Sequence, residues 1–424
     1  MIKSLFHFKR RLLAGLWLNV LHPDTIQIGI TGSYGKTSTT TAIAAVLSAH
    51  APTLVTDLNL DTIYNVPITA LKLRRERYLV FELGIDQPNE MDFHLEITRP
   101  SIGVVTGISP VHSDRAHLGS LEAIVAEKRK LIEALPADGT AVLNADDEHV
   151  RAMAGHTRAR VVWYGRGDAQ YTARDIRTGL DGTRFDLQSP EGIFPVQTGL
   201  LGEHSALNLA AAAAVCRTLG VPWETIQQAF TSLKPLTGRL SVEPGPLGTI
   251  LINDALRANP ASTAAGLAFL ASLADPPLPP PEGGKKGGVV AGTRGKKIAV
   301  LGEMGELGDL AIEKHEEIGR LAAETRPDLL ITVGVLTDHI ARVAREAGLE
   351  SERIQAVPDV AAAAEVLRRH ASAGDLIYLK GSLMRHLERI PLILAGEKVV
   401  CRAVVCPFYH QCPQCEYLEI GYEA

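Results

Sequence analysis

Cysteine is scarce: there are five in 424 residues, and residues 1–400 hold only one, Cys216. A disulfide framework for the body of the chain is excluded, which suits a reducing compartment, and Cys216, in an alanine-rich stretch, reads as a core residue. An excess of positive charge is also lacking. Lys and Arg number 43 against 48 Asp and Glu, a formal charge of −5, so no global cationic field argues for nucleic acid. No apolar run is long enough to span a bilayer, and no cleavable leader with a small-residue cleavage site is evident. The chain is expected to be cytoplasmic. No internal repeat is seen. What is present is 46% hydrophobic and 21% charged, the composition of a folded protein, with length enough for two or three domains.

One stretch organises the rest. An apolar, β-branched run from Ile26 to Ile30 leads into glycines, then Lys36 and Thr37, then a run of small residues. The pattern predicts strand, tight loop and helix. Gly32, Ser33, Tyr34, Gly35, Lys36, Thr37 and Ser38 make the loop, in which backbone N–H groups close around phosphate oxygens and the helix N-terminus adds a favourable dipole. Lys36 is placed to reach the β- and γ-phosphates, and the Thr37 hydroxyl to ligate Mg²⁺. The usual phosphate-loop pattern has glycine six residues before the lysine; here Ile30 stands there.

Strand patterns at 52–56, 77–84, 101–106 and 140–144 alternate with helical ones, which implies a mostly parallel sheet covered on both faces. Residues 160–200 change character and read as short antiparallel strands. A new unit opens at Gly238-Arg239-Leu240, with strands at 249–253, 298–301, 329–333 and 376–379 and helices between them. The expected fold is α/β: a P-loop NTPase-like domain over 26–236 with a small antiparallel subregion, then a Rossmann-like domain over 237–398. Residues 275–297, rich in Pro, Gly and Lys, are expected to form a mobile insertion. Residues 1–25 read as an amphipathic helix, with Phe6, Leu13, Trp17 and Leu21 near helical spacing and Lys9, Arg10 and Arg11 clustered. It either docks on the first domain or lies at an anionic membrane surface.

Three residues of the first domain carry candidate chemistry. Glu82 closes a buried strand, where ligands collect in open α/β sheets. His112 follows the next strand. Lys128 lies on a helix and, by itself, reads as a solvated lysine. The tail, residues 399–424, holds Cys401, Cys406, Cys412 and Cys415 with His410 between them. Four thiols in so short a span suit zinc, an iron–sulfur cluster, or unliganded redox-active thiols. A clamp, a docking site for a protein partner and a redox sensor are its open roles.

Taken together these residues resemble the Mur ligase superfamily, ATP-dependent amide ligases that build the peptide of the bacterial cell wall. TGSYGKTSTT looks like the family's phosphate loop. The resemblance implies Mg²⁺ held by Thr37, by Glu82 in FELG, by His112 in SPVH (or His117, since the loop is longer than usual) and by Lys128 as a carbamate. It also implies ATP contacts at Asn144, Asn208, Arg239 and Asp254, and substrate contacts at Asn259, Lys380 and Ser382. Within the superfamily, VPITAL, NDALRANPAS, LGEMGELG with His315, and LKGSLM are most similar to the ligases that add D-alanyl-D-alanine to UDP-muramoyl tripeptide. Only some 25 residues precede the loop strand, too few for the family's UDP-binding domain, so a lipid-linked peptide precursor is a further candidate substrate. The implied reaction is carboxylate–amine ligation through an acyl phosphate. The alternatives are a folate-extending glutamate ligase and a nucleotide-binding scaffold subunit.

Overall fold

A computed structural model of the protein describes residues 2–57, 62–276, 294–406, 408 and 411–422, without the side chains of residues 2–6 and 62. Most of the expected insertion 275–297, His410 and the Phe6 side chain therefore lie outside the described residues. The chain divides into two compact units: Met1–Arg177 with Asp181–Lys234, and Thr178–Leu180 with Pro235–Ala424.

The first unit is built on a nine-stranded sheet. Its strands are β1 (Ile26–Thr31), β2 (Thr53–Val55), β3 (Tyr78–Glu82), β4 (Ile102–Val105), β5 (Thr140–Asn144), β6 (Arg160–Gly165), β7 (Tyr171–Gly179), β8 (Gly182–Ser189) and β9 (Gly192–Thr198), in the spatial order β2-β3-β1-β4-β5-β6-β7-β8-β9. β1 sits between β3 and β4 and runs parallel to both. Such strands are covered on both faces and read as continuous apolar runs. Ile28, Ile30, Val80, Val104 and Val142 pack on one side against the loop helix (Lys36–His50) and the alanine-rich helix (Glu203–Thr218). Leu79, Phe81, Val105, Ala141 and Leu143 pack on the other, against the helix Leu121–Glu133. Cys216 is fully buried in the first of these cores.

The antiparallel region is smaller than its composition suggests. β8 and β9 form an antiparallel hairpin, but β6 pairs parallel to β5 over five residues, and β7 meets β6 in parallel through only two pairs. The short helix Glu148–Met153 makes β5–β6 a crossover rather than a hairpin.

The helix Ile2–Leu16 continues as a π-helical turn, Trp17–Leu21. Ala14 and Leu18 are fully buried, and the Trp17 indole donates to the Leu73 carbonyl at 3.1 Å. The opposite face stays in solvent, with Phe8, Leu12, Leu13, Leu16, Val20 and Leu21 each at least half exposed. The buried face is the one that docks on the first unit. No helix among the described residues is long and apolar enough to cross a membrane.

The second unit holds a six-stranded sheet made of β10 (Ser241–Pro244), β11 (Ile250–Asp254), β12 (Lys297–Gly302), β13 (Leu329–Val333), β14 (Ile354–Val357) and β15 (Leu376–Lys380), in the order β10-β11-β15-β12-β13-β14. All pairs are parallel except β10–β11. This is the expected doubly wound α/β form, with two short strands, β10 and β14, that the pattern does not announce.

Candidate active site

The turn from β1 into the loop helix needs glycine at two points. Gly32 adopts φ +147, and a Cβ there would lie 2.0 Å from Thr106 Oγ1; Gly35, at φ +77, caps the helix, and its Cβ would lie 2.8 Å from Asn208 Oδ1. Both are left-handed or steric positions that only glycine fills without strain. The loop is pinned from β4. Ser33 N–H donates to the Gly107 carbonyl at 2.7 Å, and Ser33 Oγ to that of Ser109 at 3.0 Å. Thr106 Oγ1 bonds the Thr31 carbonyl at 3.2 Å and also that of Tyr34. From the adjoining strands, Asn144 Nδ2 donates to the Thr106 carbonyl at 2.9 Å and the Tyr164 hydroxyl to the same oxygen at 3.2 Å. A row of side chains thus crosses the ends of β4, β5 and β6 to the loop.

Lys36 Nζ donates to the Gly32 carbonyl at 2.8 Å and so lies over the loop. Thr37 Oγ1 donates to Glu82 Oε1 at 3.2 Å, and Glu82 is fixed by its backbone N–H on Thr56 Oγ1 at 2.9 Å. A hydroxyl and a carboxylate oxygen thus meet at the helix N-terminus, a hard-oxygen pair suited to Mg²⁺. His112 stands at φ +66, outside the region ordinary residues prefer, and its Nε2 is 3.2 Å from Asp86 Oδ1. His117 pairs with Asp114 at 2.8 Å, and the two imidazoles are neighbours, ring centroids 5.2 Å apart. The structure therefore brings both histidines together rather than choosing one.

Lys128 is not the solvated lysine that its helix would suggest. It is 2% exposed. Burial first, and then the neighbouring Lys36 charge, lower its pKa to about 7, against the opposing pull of Asp86, Glu127 and Glu90. Tyr34 packs its ring on Gly107, where a Cβ would come within 2.2 Å, and burial with the nearby Asp147 raises its phenol to about 12. Asn208 lies beside the loop helix, Oδ1 3.5 Å from Thr39 Oγ1.

In the second unit, Asp254 ends β11 and meets Lys380 Nζ from β15 at 2.7 Å, with Tyr378 OH at 3.2 Å and Leu240 N–H at 3.1 Å. Arg239 directly precedes Leu240 and is half-buried. Asn259 uses its amide oxygen to cap the helix Pro260–Ser272, accepting from Ser262 N–H at 2.8 Å. Ser382 follows β15, its N–H 3.4 Å from the Glu303 carbonyl. His315 is fully buried; its Nε2 accepts from Met304 N–H at 3.1 Å, so its proton sits on Nδ1, which donates to the Ala311 carbonyl at 2.6 Å. Lys380 is 2% exposed, so Asp254→Ala strands a buried ammonium. The expected cost is about 3–5 kcal/mol, read by urea unfolding; a loss below about 1 kcal/mol would show that the pair is not needed.

Thr56, Asp86, Thr106 and Asp147 escape the sequence reading. The last accepts Ile108 N–H at 2.7 Å while capping the helix after β5. Each lies at or just beyond a strand end, and that position is the signal that would have found them.

A parallel sheet carrying a glycine-rich phosphate loop, with oxygen ligands at neighbouring strand ends, defines the P-loop α/β class of nucleotide-dependent enzymes. Residues 30–216 match the Mur ligase middle domain and residues 288–383 the Mur ligase glutamate ligase domain. The chain is 35% identical over 377 residues to the UDP-N-acetylmuramoyl-tripeptide–D-alanyl-D-alanine ligase of Mycobacterium tuberculosis, covering 84% of this chain and 70% of that protein. It is 31% identical over 366 residues to the ligase of the same name from Bacillus subtilis, covering 86% and 74%. The crystal structure of MurF from Acinetobacter baumannii superposes with a TM-score of 0.79 at 26% identity, covering 92% of this chain and 81% of that one. The chain belongs to the Mur ligase family. It is an ATP-dependent, ADP-forming ligase that makes an amide bond on a cell-wall peptide precursor.

Proposed function

We propose that the chain activates the terminal carboxylate of a muramoyl-tripeptide precursor and joins it to D-alanyl-D-alanine, the reaction named for its relatives. The substrate carboxylate attacks the γ-phosphate of ATP and forms an acyl phosphate; the dipeptide amine then adds to that carbonyl and expels phosphate. The loop amides and Lys36 balance charge on the transferring phosphoryl group. Thr37, Glu82, His112 and a carbamylated Lys128 would hold Mg²⁺, which supplies Lewis-acid charge at the phosphates. The fit rests above all on Lys128. A buried amine with pKa about 7 is largely neutral in mildly alkaline solution, and the neutral amine is the form that attacks CO₂. The product is an anionic oxygen donor where a cation would repel a metal. Asn144, Asn208, Arg239 and Asp254 are proposed for the nucleotide, and Asn259, Lys380 and Ser382 for the substrates. The direct test measures ADP release with ATP, Mg²⁺, UDP-muramoyl tripeptide and D-alanyl-D-alanine. Release is expected only with both substrates. Equal release without the dipeptide would overturn the assignment, and activity with folate and glutamate would favour the glutamate-ligase alternative.

The finer reading, that the precursor is lipid-linked and met at a membrane surface, is supported by the apolar face of the N-terminal helix. Leu12 and Leu16 are 56% and 50% exposed there, with Lys9, Arg10 and Arg11 on the same element. Paired Leu12→Ser and Leu16→Ser changes are expected to weaken pelleting with anionic vesicles by more than about tenfold, since each buried leucine contributes roughly 1.5–3 kcal/mol. Unchanged pelleting, or none by the parent protein, would end this reading.

A further inference from the structure

The tail folds back on the second unit and closes a cavity of about 10 Å³ there, lined among others by Cys401, Cys406, Cys412 and Cys415 together with His386 and Arg389. Cys401, Cys406 and Cys412 are buried, and none of the four is in a disulfide. Backbone bonds hold the fold-back: Cys406 N–H donates to the Met384 carbonyl at 3.1 Å, and Cys401 N–H to that of Leu418 at 3.1 Å. Cys412–Gln414 is a single 3-10 turn, so Cys412 and Cys415 flank a tight knuckle.

The polar groups around this cavity do not balance as they stand. Arg389 is 1% exposed, a full cation in the interior. Its Nε donates to Cys412 Sγ at 3.0 Å and one terminal nitrogen to the Ala403 carbonyl at 2.9 Å, but Nη2 is buried with no partner among the described residues. His386 is equally buried. Its Nδ1 lies 2.8 Å from Glu388 Oε1, and Nε2 is unpartnered among the described residues, as is Glu388 Oε2. Three orphaned polar atoms at one place are costly to bury. Four neutral thiols offer such groups only weak bonds.

We propose that Cys401, Cys406, Cys412 and Cys415 hold a single thiophilic divalent cation of the zinc class, which clasps the tail to the second unit. On binding, each thiol releases its proton to solvent and forms one sulfur–metal bond. Four thiolates and a divalent ion sum to −2, and the buried Arg389 cation then sits beside an anion, its N–H groups donating to metal-bound sulfur. His386 and Glu388, whose ligand atoms lie within 4.8 Å of one another and of Cys412 Sγ, flank the site as an outer layer around the sulfurs. The site is built entirely from residues of the second unit and shares none with the phosphate loop, so it stands or falls independently of the ligase reading.

The test uses the full chain purified under reducing, oxygen-free conditions. Metal analysis is expected to give one zinc per chain, and Cys412→Ser and Cys415→Ser are each expected to lower occupancy at least tenfold. His386→Gln is expected to retain the ion but weaken its affinity by about 10- to 100-fold. Because a cysteine variant can fail by misfolding, the stripped parent protein is also titrated with Co²⁺ alone. A tetrahedral four-thiolate spectrum saturating at one equivalent is expected, together with protection of four thiols from a thiol reagent. Absence of bound zinc combined with no Co²⁺ spectrum would overturn the proposal, as would iron–sulfur absorbance in the purified protein. ADP release measured on the same samples reports the ligase site separately.

Discussion

Replacing Lys36 with alanine is expected to lower substrate-dependent ADP release by on the order of 10²–10³-fold, the usual consequence of deleting one preorganised charge donor at a reacting group. The side chain is half-buried and reaches back to the Gly32 carbonyl at 2.8 Å. Its removal opens no core cavity, so the circular dichroism spectrum and melting temperature should stay close to those of the parent. A second consequence is specific to this geometry. Lys36 is one of the charges that depress Lys128, so the variant should carry a more basic Lys128 and take up CO₂ at higher pH. Turnover that survives Lys36→Ala would separate this loop from phosphoryl transfer.

Lys128 supports the second large prediction. Lys128→Ala should abolish ADP release, at least 100-fold on the same electrostatic argument, and short-chain carboxylic acids should restore part of it by placing a carboxylate in the vacated space. A fully active alanine variant, or no rescue by any such acid, would remove the carbamate role. The sign of the pH effect follows from the depressed pKa. Between about 7 and the free-lysine value near 10.4, the unfolded chain binds the proton and the folded chain does not, so stability rises with pH across that window. Lys128→Met removes the titrating group while keeping its length. The parent should gain stability relative to this variant from pH 7 to 10, and the variant should be the more stable of the two at pH 6. Chemical denaturation across that range measures both.

These residues differ in how plainly the chain declares them. The phosphate loop is legible because its chemistry is local: two glycines, a lysine and a threonine within six positions, bracketed by a β-branched run and small helix formers. The central strands are legible because burial on both faces leaves unbroken apolar runs, as at Tyr78–Glu82. Legibility fails where pairing depends on distant chain. β10 and β14 are four-residue strands at the two edges of the second sheet, too short for a pattern to accumulate. β6 reads as part of an antiparallel patch because its neighbours do, yet its partner is fixed by the crossover before it. The helix Thr62–Lys72 is concealed by Pro67, which lies within it. In the site, no local feature foretells that Lys128 is desolvated or that Asp86 stands at His112, since both follow from which strand ends the topology places side by side. For Lys128 and His112 the proposed roles come from the family resemblance, not from spacing.

The hydrogen-bonded row from Tyr164 through Thr106 to the Tyr34 carbonyl gives the loop a thermodynamic character. A loop anchored to three neighbouring strands has little backbone freedom left to lose when a nucleotide arrives. Association should therefore show a small ordering entropy and a heat dominated by charge-assisted contacts. It also makes the loop sensitive at a distance. Loss of the Tyr164 hydroxyl, on β6 and three strands from β1, would slacken the cradle without removing any group that touches phosphate, and its signature would be an entropic penalty in calorimetry rather than a missing contact.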